Sequence, residues 1–153
     1  MNEMSTNHIC ISSMSDMEIE KVRAFESIAL SMPQTDINTS HLLHAGMYAR
    51  TILIPVGTVI TGALIKIATI LIIQGDIIAY IGDESVHLKG YNILPACANR
   101  KQAFYAKEDT YLTMLFSCDA KTIKEAEDMF TDEADMLLSR IDDTSNQIMI
   151  TGE

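Results

Sequence analysis

At 153 residues the chain has room for one domain with a real hydrophobic core, and too few residues for two of ordinary size. Its formal net charge of -10 repels phosphate backbones, so no nucleic-acid partner is expected. Cys10, Cys97 and Cys118 are odd in number and contain no CxxC pair, which argues against a disulfide scaffold or a zinc knuckle and fits a reducing compartment.

Residues 1–39 read as an N-terminal arm followed by a helix. The arm is polar and acidic, unlike a signal peptide, so a cytoplasmic location is expected. In SDMEIEKVRAFESIALSM (15–32), Met17, Val22, Phe25, Ile28 and Leu30 approximate helical spacing. Ser15 or Asp16 is the cap, with acids in the first turn. His41 and His44 in HLLH are three apart and could share a helix face. With no acid nearby in sequence, capping or surface roles suit them better than a metal site. His8 falls in the arm, and His87 is expected to face solvent on a strand.

The stretch from Thr51 to Gly75 is long and apolar enough to raise the question of a membrane span. Its local chemistry answers against one. Pro55, Gly57, Gly62 and Gly75 divide runs of Val, Ile and Thr, which prefer a pleated strand. Strands are predicted over 48–55, 58–66, 69–74, 77–82, 85–88, 102–106 and 110–117, with Gly82-Asp83 as a hairpin turn. Isoleucine-rich strands with few charges predict a sheet face covered by another subunit, hence a homodimer or higher homo-oligomer and no membrane partner. Helices follow over 118–141, where Thr122 precedes Glu125 in a capping-box pattern and Thr131 or Asp132 caps a second segment. The tail, 142–153, lacks helical logic and is expected to be disordered or docked on a partner. Acids outnumber bases in 1–39 and 114–153 and balance them in 40–113, so the ends read as solvated. All of this belongs to a single globular domain.

IPVGTVITGALIKIATILIIQGDIIAYIGDE, read whole, resembles the first motif of the cupin superfamily, with Gly57 and Gly75 in the two glycine positions. CANRKQAFYA (97–106) is similar to the second motif. The GMYART lead-in and the FTDE segment resemble small cupin-like proteins encoded by tailed phages. The resemblance implies a mainly β, jelly-roll barrel over 40–117, flanked by the helices. It also implies a host cytoplasm for a phage-encoded chain. In metal-binding cupins the ligands are histidines and a glutamate. Here those positions hold Ala63, Ile65, Thr69 and Gln102, so no metal and no other cofactor is expected.

Without a metal, the barrel interior is where a ligand would sit. Positions 63 and 65 face the cavity in the resemblance, so Val59, Thr61, Ala63 and Ile65 would line it. Tyr48 and Arg50 share a strand face, either inward, where Arg50 needs a carboxylate partner or an anionic ligand, or outward at the surface. Arg100 and Lys101 at the rim could receive a phosphate or carboxylate, and Gln102 and Phe104 alternate with Lys101 and Tyr105, so one pair can line the cavity. The ligand-binding set is therefore Tyr48, Arg50, Thr61, Arg100, Lys101, Gln102 and Tyr105, with no catalytic residue assigned. Three functions remain open: a metal-free binder of a small anionic ligand, such as a nucleotide-derived host defence signal; a non-catalytic structural oligomer; and a metal-independent epimerase or isomerase using Tyr48, Tyr105 or Lys101.

Overall fold

β-branched residues crowd the middle of the chain, and the backbone is extended there. The computed structural model describes residues 9–141 and 146–151. Helix α1 (Asp16–Ala29) precedes β1 (Thr39–His44), β2 (Met47–Ile54), β3 (Val59–Thr61), β4 (Thr69–Ile81), β5 (Glu84–Ala96), β6 (Ala103–Ala106) and β7 (Thr110–Ser117). Helix α2 (Ile123–Phe130), a 3-10 turn (Ala134–Met136), a short α3 (Leu138–Ile141) and β8 (Asn146–Ile150) complete the order. The class is mainly β, with an N-terminal helix and C-terminal helices. His8 and residues 142–145 lie outside the described residues.

One curled sheet runs β3-β6-β4-β7-β2-β1-β8, with β5 also paired to β4. Strand β4 is its spine. Ile70–Gln74 pairs with β7, Ile77–Tyr80 with β6, and the full strand with β5. The predicted Gly82-Asp83 turn joins Ile81 to Glu84, with Gly82 at φ +67°. The predicted break at Gly75 is absent. Gly75 has φ +150°, and a Cβ there would lie 2.4 Å from Thr110 Oγ1. The glycine serves close passage of β7 under a continuous strand rather than a turn.

Two other expectations are corrected. HLLH is strand, not helix, so alternation buries His41 and exposes His44. The tail's Asn146–Ile150 pairs parallel to β1 within the same chain. Period-2 burial is what strand geometry gives β1, and its edge away from β2 is the one that pairs with β8.

Ser15 caps α1 with the full capping box, its side chain accepting from the Glu18 backbone. Thr122 caps α2 in the same way, but Glu125 reaches back to the Lys121 N–H at 2.8 Å instead of the cap's own. The core lies between the sheet's inner face and α2. Tyr48, Met114 and Phe116 meet Ala126 and Phe130 there, with the Tyr48 and Phe116 rings 5.4 Å apart edge-on. Cys10 and Cys97, distant in sequence, are free thiols with sulfurs 4.0 Å apart, because Ile11 bridges to Ala96. No helix among the described residues is long and apolar enough to cross a membrane.

Candidate functional site

Strand alternation turns Tyr48, Arg50 and Ile54 of β2 inward, so Arg50 takes the interior reading. A guanidinium there needs a counter-charge, and the chain supplies its own. Arg50 Nη1 donates to Glu127 Oε2 at 3.1 Å and Nη2 to Ser139 Oγ at 3.0 Å, while its carbon lies 5.5 Å above the Phe130 ring. Ser139 donates to the same Glu127 oxygen at 2.6 Å, and Arg140 Nη2 lies 3.1 Å from the other. Glu127 is thus held by two arginines at 4 % side-chain exposure. Sequence reasoning missed it. The signal was present: Ile123, Ala126, Glu127 and Phe130 share the i, i+3, i+4, i+7 stripe that α2 buries.

Tyr48 is also committed. Its hydroxyl is 2.7 Å from His41 Nδ1, and His41 Nε2 is 2.9 Å from Asn146 Oδ1. Burial pushes the Tyr48 phenol above its ordinary pKa and the His41 imidazole below its own. Both groups are therefore neutral at pH 7, and Tyr48 is a poor base.

Arg100 differs from Arg50. It is 1 % exposed, and no carboxylate among the described residues pairs with it. Nη1 donates to the Cys97 carbonyl at 2.7 Å and to that of Ile67 at 3.3 Å, and Nη2 donates to Thr69 Oγ1 at 2.8 Å. Burial lowers its pKa to about 10, so the guanidinium stays charged at neutral pH. Nε has no hydrogen-bond partner among the described residues. Neither does Nε2 of Gln102, two residues on and 5 % exposed. Two buried donors on one short segment are left over. Met114, which pairs with Arg50 in the sheet, lies 3.9 Å from Arg100 Nη2, so both arginines flank the same patch of inner face.

The other predicted residues do not join them. Lys101 points to α1, where its buried Nζ meets Glu26 Oε2 at 3.1 Å and the Gly62 carbonyl at 2.8 Å. Thr61 donates to the same Glu26 oxygen at 2.7 Å. The predicted facing of β3 is reversed. Ile60 pairs with the buried Phe104, whereas Val59 pairs with Tyr105 and is 43 % exposed. Strand β3 ends at Thr61, before Ala63, so alternation cannot be carried through to Ile65. His87 is half exposed, as expected on a strand, but is bonded to Asp76 at 2.5 Å.

The positions at which the resemblance expects metal ligands do not fit a metal. Ala63 and Ile65 have no donor atoms, and the Thr69 hydroxyl already accepts from Arg100. Among the described residues, no three His, Cys, Asp or Glu side chains are grouped to hold an ion.

No family model and no curated protein matches the chain. Solved cupin structures are similar to it. A cupin superfamily protein from Desulfitobacterium hafniense is 14% identical, with TM-score 0.46, covering 57% of this chain and 83% of that one. KdgF from Halomonas is 18% identical, with TM-score 0.46, over 60% of this chain and 90% of its own. Ectoine synthase from P. lautus is 19% identical, with TM-score 0.45, over 56% and 67%. These likenesses assign no role to any residue of this chain.

Proposed function

We propose that the chain is a metal-free, cupin-like small-molecule-binding protein that holds an anionic ligand on the inner face of its sheet. The observation that carries this reading is Arg100, a charged, fully buried guanidinium with a spare N–H, two residues before Gln102, whose side-chain amide is also spare among the described residues. Leaving a buried donor unmade costs about 1–3 kcal/mol, more for a charged group, and an anion bound between them recovers it. Arg50 and Lys101 already have Glu127 and Glu26, so the ligand needs one negative group facing Arg100 rather than three. Carboxylates and phosphomonoesters, including those of nucleotides, have the right chemistry.

The scaffold reading draws support from an uncharged outer sheet face, taken up below. The isomerase reading has the least. Its candidate groups point apart, with Tyr48 held neutral and Lys101 clamped by a carboxylate.

Native mass spectrometry of freshly purified protein, with acetate, inorganic phosphate and a nucleoside monophosphate then added as probes, tests the proposal. One small anion per chain, retained or taken up, and no transition metal is the expected result. A bare chain that takes up none of the probes, or one that retains a stoichiometric metal, refutes it.

A further inference from the structure

The sheet's outer face carries three cross-strand rows that contain no charged residue. Register aligns Pro95, Ile70, Leu115, Ala49, Leu42 and Met149 in the first. The second runs Ile93, Ile72, Thr113, Thr51, Ser40 and Gln147. Tyr91, Gln74, Tyr111 and Leu53 form the third. Several of these side chains are strongly exposed: Tyr91 63%, Met149 62%, Ile93 56% and Tyr111 53%. Helix α2 packs on the opposite face, against Tyr48 and Phe116.

We infer that this face is the contact surface of a homodimer, formed by two copies packing sheet against sheet. Charge selects the occupant. The chain is strongly acidic, and a basic partner would engage its carboxylates, yet these rows contain none. The surface that suits an uncharged field is another uncharged field, and a second copy supplies one without bringing acid against acid. Polar groups at the centre do not oppose burial, because Thr51 and Thr113 hydroxyls bond each other at 2.7 Å. A two-fold axis across the strands would set Ile72 and Ile93 against their own copies and bring Tyr111 over Leu115. Six strands at ~4.8 Å spacing and about five residues of depth give a field of roughly 25 by 17 Å. That flat footprint is about half of the ~800 Å² per partner of a standard interface, and the relief of the exposed Tyr91, Ile93, Tyr111 and Met149 side chains adds to it.

Sedimentation equilibrium of the full chain from about 1 to 100 μM, with Ile70→Lys/Ile93→Lys as the interface variant and Val59→Lys as a control, tests the inference. Both interface side chains are solvent-exposed, so the variant folds, and circular dichroism confirms it. Wild type and V59K should sediment at twice the chain mass, and I70K/I93K at the chain mass, with the dimer dissociation constant raised at least 100-fold. A wild-type monomer at 100 μM overturns the inference, whether some other protein or nothing covers the face. So does an interface variant that stays dimeric, since the contact then lies elsewhere.

Discussion

Glu127→Ala is expected to destabilise the fold by about 3–5 kcal/mol. The alanine removes the one carboxylate between Arg50 and Arg140, whose side chains are 13% and 18% exposed. The Arg50 guanidinium then remains largely shielded from water without its carboxylate, Arg140 keeps Asp128 and Asp135 at 3.1 and 3.2 Å, and Ser139 loses its acceptor. Glu127→Gln keeps the shape and one oxygen but not the charge, so it should fall between wild type and alanine. The double replacement Glu127→Leu with Arg50→Met removes both halves of the pair and should recover much of the loss, because matched apolar side chains avoid the desolvation of both ions. Urea unfolding of the four proteins measures this. A loss below about 1 kcal/mol for E127A would mean that the network is a solvated surface pair in effect, whatever its geometry.

Arg100→Met should show the opposite balance: a small change in stability and a large change in binding. The substitution forfeits donors to the Cys97 and Ile67 carbonyls and to Thr69, and it also releases a guanidinium with no carboxylate partner among the described residues. These effects oppose one another, leaving a net cost below about 2 kcal/mol. Affinity for whichever probe binds wild type should fall by one to two decades, the worth of one charge-assisted hydrogen bond of about 1.5–3 kcal/mol. Gln102→Leu is the cleaner companion, because Nε2 has no hydrogen-bond partner among the described residues. It should leave the urea midpoint unchanged or raised and still weaken binding about tenfold. Calorimetric titration beside urea unfolding separates the two quantities. If R100M bound the probe as wild type does, the proposed site would be misplaced.

Much of the sheet was legible because strand chemistry is local. Val, Ile and Thr between glycines located β2 and β4, and Gly82-Asp83 marked the hairpin that follows β4. What failed was local evidence for a non-local cause. Gly75 read as punctuation because glycine commonly ends strands; its reason lies in Thr110, across the sheet. HLLH carries a helix-compatible spacing, and only pairing with β2 and β8 fixes it as strand. The site was legible at the level of residue type and not of partner. Arg50, Arg100 and Lys101 were all visible as cations, yet their sorting depends on which acid each meets. Glu127 comes from a helix 77 residues away in sequence and Glu26 from one 75 away, and no acid among the described residues pairs with Arg100.

The most direct test of the binding account observes the spare donor itself. In a ¹⁵N–¹H spectrum of arginine side chains, the buried Arg100 Nε–H should give a slowly exchanging signal, assigned by its loss in R100M. On addition of the probe that native mass spectrometry finds bound, that signal should move downfield and saturate at one equivalent, while that of Arg50 stays in place. Binding at one equivalent with the Arg100 signal unmoved would contradict the account.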